Sequence, residues 1–322
     1  MLSALCLVSA SVLAQETGAP IDTPKKHDVN RLSKDYYIAH RFDGKTILIT
    51  GGARGIGKWT ATRAAKEGAS VVVMDWLKDE GRKTVNEINQ NGGKAIFVYG
   101  NIQKSEDCER MISETVRAYG KLDYAVLNAG VMDAVYSGTP FKYDEQQRKL
   151  MPAMITDATD EYWDGVFATN AAGTFKSMRA VLKQLVSQQK GGAIVVVGSI
   201  AGMTGLSGNP AYVSSKFAVN GLVRNAAIDY APYGIRVNSV NMAQTETPMV
   251  ERAGEFVKAQ QQAGIGFGMG KIKTMSLMMY TDSKHRASEP WEQASTMLYL
   301  ISDEASAITG SIIATDGGWT DY

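Results

Sequence analysis

Tyr212 and Lys216 stand four residues apart in NPAYVSSKFAVNGL (209–222). On a helix that spacing stacks a phenol and an ammonium on one face. A phenol titrates near about 10, and a close ammonium favours the phenolate, so the pair could give and take a proton. Ser199 stands thirteen residues before Tyr212 at the end of an apolar run, and Asn170 lies in the helical pattern YWDGVFATNAAGTFKSM. Each has an ordinary alternative: a snorkelling surface pair, a turn serine, a polar helix contact. Their joint occurrence calls for a scaffold that brings them together.

That scaffold is legible as a repeat of short apolar runs and helical patterns. The runs are KTILIT (45–50), SVVVMD (70–75), KAIFVYG (94–100), DYAVLNAG (123–130), GAIVVVGS (192–199), IRVNSV (235–240) and GSIIATDG (310–317). Near-continuous Val and Ile runs predict parallel strands covered on both faces. The alternation predicts a single-domain α/β fold over residues 41–322, a Rossmann-type doubly wound sheet of about seven parallel strands with helices on both faces. In such sheets ligands bind outside the carboxyl ends of the strands, at the switch point.

After the first run comes TGGARGIG (50–57). Gly51, Gly55 and Gly57 at a strand-to-helix turn let the backbone approach a pyrophosphate, which the helix N-terminus then faces. The second run ends at Asp75, where a carboxylate can accept from ribose hydroxyls and repel a 2′-phosphate. Arg54, inside the turn, is the counter-signal. Asp75 outweighs it, so the expected cofactor is NAD rather than NADP; a strand-end cap is the alternative role for Asp75.

Taken together, TGGARGIG, LNAG (127–130), Asn170, GSIAG (198–202), YVSSK (212–216) and DGG (316–318) resemble the short-chain dehydrogenase/reductase family, in its shorter single-domain branch, over about residues 42–320. The three-residue gap between Gly51 and Gly55 sets this branch apart from the epimerase-like one. The resemblance implies an NAD(P)(H)-dependent oxidoreductase interconverting a secondary alcohol and a ketone. Tyr212 would be the acid/base, with its pKa lowered by Lys216 and a positive nicotinamide. Lys216 would also hold the nicotinamide ribose, Ser199 would donate to the substrate oxygen, and Asn170 would hold a water linking Lys216 to solvent. Gly51, Arg54, Gly55, Ile56, Gly57, Asp75, Asn101, Asn128, Ala129, Gly130 and Thr247, with Tyr212 and Lys216, would line the cofactor. A homodimer or homotetramer is implied, with helices near 158–189 and 211–232 at the interface. A non-catalytic nucleotide-binding sensor or scaffold, and a dehydratase or isomerase, are the rival functions on the same fold.

The chain departs from the family pattern at VNMAQTETPM (240–249), where Met242 and Ala243 replace the usual Pro-Gly, and at Asn101, where an Asp is common. The Asn101 amide oxygen could still accept from an adenine amino group. Two long loops, Val131 to about Thr159 and about Ala243 to Glu289, follow strand ends and should shape the substrate pocket. Met249, Met269, Met275, Met278 and Met279 in the second suggest an apolar substrate, cyclic or lipid-like, with ordinary packing or a subunit contact as the alternative.

Composition excludes other classes. With 34 Lys plus Arg against 33 Asp plus Glu, the net charge is +1, and no basic stripe points to nucleic acid. The three histidines and two cysteines lack metal-ligand or disulfide spacing. MLSALCLVSASVLAQ reads either as a signal-like leader (1–14) or as a disordered start. It is too short to span a bilayer, and the compartment is cytoplasmic unless the leader is a signal. Residues 15–40 read as a polar extension.

Overall fold

Every residue of Thr46–Thr50 is buried, and its side chains split between two cores as strand alternation requires. Ile47 and Ile49 join one cluster, with Ala61 and Ala64, Val85 and Leu298. Leu48 joins the other, with Met111, Val181 and Val223. A strand apolar on both faces is stable only between two helical layers.

The computed structural model describes residues 28–264 and 275–321. In chain order the first half is β1 (Thr46–Thr50), α1 (Gly55–Lys66), β2 (Ser70–Asp75), α2 (Lys78–Gln90), β3 (Lys94–Tyr99), α3 (Ser105–Tyr119) and β4 (Tyr124–Leu127). Then follow α4 (Glu145–Arg148), α5 (Asp160–Phe167), α6 (Thr174–Gln188), β5 (Gly192–Val197) and α7 (Pro210–Tyr230). The chain closes with β6 (Ile235–Met242), α8 (Pro248–Gln262), α9 (Leu277–Thr281), α10 (Pro290–Ile301) and β7 (Ile312–Thr315). The strands form one parallel sheet in the order β3-β2-β1-β4-β5-β6-β7. All seven expected runs are strands, and the order reverses between β1 and β4. That crevice is where a doubly wound sheet binds its ligand.

Three details are added. The pattern around Asn170 is helical, and a π segment over Ala168–Gly173 joins α5 to α6. The second long loop contains helix, since α8 and α9 lie within it. The described part of the extension, residues 28–40, is bonded to the rest of the chain. Arg31 donates to the Arg286 and Ala287 carbonyls at 2.7 and 2.6 Å and pairs with Glu292 at 3.0 Å, while Ile38 N–H donates to Glu67 at 3.0 Å. The leader falls outside the described residues. Among the described residues no helix is long and apolar enough to cross a membrane.

Candidate active site

The turn at the switch point is built for close backbone approach. Gly51 and Gly55 have φ of 65° and 55°, a region that glycine enters without a Cβ clash. A Cβ on Gly57 would lie 2.1 Å from the Gly51 carbonyl oxygen. Asn128 donates its side-chain amide to that same oxygen at 2.8 Å. The Thr50 hydroxyl oxygen accepts from the Asn128 and Ala129 N–H groups at 3.1 and 3.2 Å. These bonds fasten the β1 and β4 ends and leave the N-terminus of α1, with its unpaired N–H groups, open to an anion.

Asp75 closes β2 with little exposure, its oxygens accepting from Ala53 N–H at 3.0 Å and Leu77 N–H at 2.9 Å. Burial raises its pKa, opposed by those amides and by Arg54. Both the cap and the ribose reading therefore fit, since each oxygen keeps a second lone pair. Arg54 points toward the Ser137 carbonyl, 3.4 Å away. The Asn101 amide oxygen accepts from Gln103 N–H at 2.9 Å, an Asx turn.

The reacting groups meet beyond β5. Ser199 and Tyr212 face the same cavity, Ser199 acts to lower the pKa of the phenol, and the Ser199 hydroxyl oxygen accepts from Ala201 N–H at 3.1 Å. Lys216 Nζ donates to the Val197 carbonyl at 2.8 Å and stands 5.7 Å from the Tyr212 ring centre. Asn170, in the π turn, donates to the Val131 carbonyl at 2.9 Å and to Ser215 Oγ at 3.0 Å, and accepts from Val131 N–H at 2.8 Å. Its amide thus ties the end of β4 to α7. A Cβ on Gly130 would lie 3.3 Å from Asn170 Oδ1 and 3.5 Å from Lys216 Nζ, so the chain passes close to both.

The expected lowering of the Tyr212 pKa is not found in these surroundings. Burial raises it, against the effect of Ser199, and burial brings Lys216 down to about 8. Desolvation penalises the charged form of each group.

These groups open on a cavity of about 1320 Å³. Gly51, Ile56, Asp75 and Asn101 line one end of its wall in sequence, and Ser199, Tyr212 and Lys216 line it from the other side of the sheet order. Met242, Ala243 and Thr247 are also on its surface. Met242 is buried in the core cluster beside the sheet, so the residue replacing Pro turns inward. Thr247 caps α8 by accepting from Val250 N–H at 3.3 Å. Of the methionines in the second long loop, whose α8 forms one wall of the cavity (the lid wall), Met249 lines the cavity; Met269 lies outside the described residues, and the rest are not on its wall. The cavity's other methionines, Met74, Met132 and Met151, come from elsewhere in the chain.

Sequence reasoning missed two groups. Asn220, Ser239 and Asn241 form a buried polar cluster whose Asn241 accepts from Ser199 N–H at 3.0 Å. Arg252 and Gln260, both on α8, line the cavity. Polar residues inside the apolar run IRVNSVNM (235–242) were the available signal for the first group; for the second there was none beyond helical spacing.

A glycine turn at the switch point, a carboxylate at the next strand end and a Ser–Tyr–Lys cluster over a shared crevice define a dinucleotide-binding oxidoreductase of the Rossmann class. The chain belongs to the short-chain dehydrogenase family, whose pattern it matches over residues 45–258. It is 37% identical over 290 residues to the 3beta-hydroxysteroid dehydrogenase of Mediterraneibacter gnavus, covering 89% of this chain and 98% of that one. It is 33% identical over 283 residues to the cyclohexanol dehydrogenase of Acinetobacter sp. strain SE19, covering 88% and 98%. The crystal structure of a short-chain type dehydrogenase/reductase from Mycobacterium marinum superposes with a TM-score of 0.71 at 28% identity, covering 87% and 96%. Membership makes the protein an oxidoreductase of alcohol and carbonyl groups that uses NAD(P).

Proposed function

We propose that the protein interconverts an apolar cyclic secondary alcohol and its ketone with NAD, using Tyr212 as the acid/base. The observation that carries this is Ser199, Tyr212 and Lys216 together on the cavity wall, with Lys216 Nζ 5.7 Å from the Tyr212 ring centre. The glycine turn, the open α1 N-terminus and Asp75 fit a dinucleotide, whose nicotinamide would exchange the hydride with the carbinol carbon and, when oxidised, add a positive charge to the site.

The chain's own residues do the rest. Ser199 donates a hydrogen bond to the substrate oxygen and offsets charge developing there. Tyr212, kept protonated by burial, delivers its proton to a ketone oxygen; in the reverse direction its phenolate takes the proton from the alcohol. Lys216 supplies the nearby charge that favours the phenolate and reaches the ribose side. Asn170 holds the β4 end and α7 in register. Asn128, Ala129 and Gly130 flank the adenosine side, and Thr247 the carboxamide.

Asp75 supports NAD over NADP, because a buried carboxylate at the ribose position opposes a 2′-phosphate. The cavity's methionine and phenylalanine lining supports an apolar substrate, as do the cyclohexanol and hydroxysteroid named for the relatives. A homodimer or homotetramer is supported by exposed Phe175 on α6 and by Phe217 and Ile228 on α7, the last 75% exposed.

The test is nicotinamide absorbance with NAD or NADP against cyclopentanol, cyclohexanol, a 3β-hydroxysteroid and small polar alcohols. Faster turnover of the cyclic alcohols with NAD is expected. No turnover of any alcohol or ketone would sink the reading; preference for NADP or for small polar alcohols would remove the corresponding half.

A further inference from the structure

We infer that Asn220, Ser239 and Asn241 form a closed hydrogen-bonded ring that positions Ser199 for the reaction, an inference that rests on the role proposed for Ser199 above.

Asn241 Oδ1 accepts from Ser199 N–H at 3.0 Å and from Asn220 Nδ2 at 3.0 Å. Asn241 Nδ2 donates to Ser239 Oγ at 2.8 Å, and Ser239 Oγ donates to Asn220 Oδ1 at 2.9 Å. Asn220 Nδ2 also donates to the Gly202 carbonyl at 3.0 Å. The hydrogen placement has one solution. Ser199 N–H can only donate, so the Asn241 atom facing it is the oxygen. The Gly202 carbonyl can only accept, so the Asn220 atom facing it is the nitrogen. The Ser239 hydroxyl must then receive from Asn241 and donate to Asn220. All three side chains are buried, where a fully satisfied ring is rigid and a broken one leaves orphaned polar groups.

The ring grips both ends of the Ser199 turn, at Ser199 itself and at Gly202. A Cβ on Gly198 would lie 2.1 Å from Asn241 Oδ1, and one on Gly202 would lie 2.7 Å from Asn220 Nδ2, so glycine at both places is what lets the side chains reach the backbone. Within the gripped turn, Ala201 N–H occupies a lone pair of the Ser199 hydroxyl. That leaves the hydroxyl proton for the phenol or the substrate oxygen. Asn220 stands on α7 four residues after Lys216 and eight after Tyr212, so the ring fixes the serine turn against the helix that carries the other two groups. The three are positioning residues: they act through Ser199 and β6.

The experiment is a double-mutant cycle on turnover of cyclohexanol by the full chain, with cofactor binding and a thermal melt on every variant. Asn241→Ala and Asn220→Ala should lower kcat by about 100-fold, the cost of misplacing a reacting group by about 1 Å, with KM and cofactor Kd within about twofold. In a Ser199→Ala background the same substitutions should cost less than about threefold, because their effect runs through Ser199. Equal losses in both backgrounds, or unchanged kcat in a folded ring variant, would overturn the inference. If either Asn variant does not fold, Ser239→Ala, which removes one hydroxyl, carries the same cycle with an expected loss of about 10-fold. Ser199→Ala with full turnover would overturn the proposed reaction as well, which separates that failure from failure of the ring alone.

Discussion

The two walls of the cavity are built on opposite rules. On the catalytic wall, at the β5 end and along α7, the polar groups close on one another and on the backbone: Ser199 with Ala201 and Asn241, Lys216 with Val197, Asn170 with Val131 and Ser215. On the lid wall, α8 packs against the segment after β4, and capacity is left over. Arg252 pairs with Asp133 at 3.1 Å and donates to the Thr139 carbonyl at 3.0 Å, yet its remaining Nη2 and Gln260 Oε1 are buried without a hydrogen-bond partner among the described residues. A buried unpaired polar atom costs about 1–3 kcal/mol. Where every partner is internal, geometry is fixed before substrate arrives, as transition-state stabilisation requires. Where partners are missing, the wall can discriminate among occupants.

The hardest break is on the catalytic wall. Tyr212→Phe removes the proton donor and keeps the ring, so kcat should fall by about 10³-fold while cofactor Kd stays within about twofold. Stopped-flow turnover and fluorescence titration check the two halves. Turnover near the native rate would mean that the preset wall is not the reacting one.

Lys216 gives the next effect, read as stability against pH. Burial holds its pKa down at about 8 against the usual 10.5. Below about 8 both folded and unfolded chains carry the proton, and the penalty of the buried ammonium is fully present. Between those values the unfolded chain binds more protons, so stability contributed by this site rises with pH. Relative to Lys216→Met, the native protein should therefore gain an amount on the order of a few kcal/mol across pH 8 to 10.5, measured by denaturant unfolding at each pH. A flat difference would show an ammonium in contact with water, and the contrast between the walls would weaken.

How far the sequence reached follows the same division. The strands and the glycine turn were legible because each depends on local sequence, the near-continuous apolar run of TILIT and Gly51, Gly55 and Gly57 at a strand end; the Ser–Tyr–Lys set, each member ordinary by itself, was legible through the resemblance to a family. Their surroundings were not. That burial raises the Tyr212 pKa against the effect of Ser199 depends on how much chain covers it, and no spacing records that. The Asn220–Ser239–Asn241 ring joins a helix to a strand 19 and 21 residues away, so its members carry no mutual signal along the chain. The π turn at Asn170 is a backbone adjustment inside a pattern that reads as continuous helix.

On the lid wall, Arg252→Met should change choice rather than speed. It removes the α8 link to Asp133 and the spare donor. KM for cyclic alcohols should rise by about 10-fold, as expected for loss of one charged hydrogen bond, and the ranking of alcohols in the panel should alter. The kcat for a small alcohol should hold. A fall in kcat matching that of a catalytic-wall variant would erase the distinction between choosing and reacting.

The smallest effect tests how the lid is held from behind. Arg31 lies in the extension, before the region that matches the family pattern, yet its three bonds end on Arg286, Ala287 and Glu292. The neighbouring Ser288 bridges to the root of the lid, donating to the Gln244 carbonyl at 3.2 Å and accepting from Glu246 N–H at 2.9 Å. Gln244 is on the cavity wall. Arg31→Ala should then cost about 1–2 kcal/mol of stability, the worth of a hydrogen bond to a charged group, and speed amide exchange at residues 244–246 and 286–288. The kcat should be unchanged, because no catalytic-wall atom depends on that chain of contacts. Faster exchange at 199–202 as well would mean that the extension braces both walls, and the division between a preset wall and an adaptable one would have to be redrawn to include it.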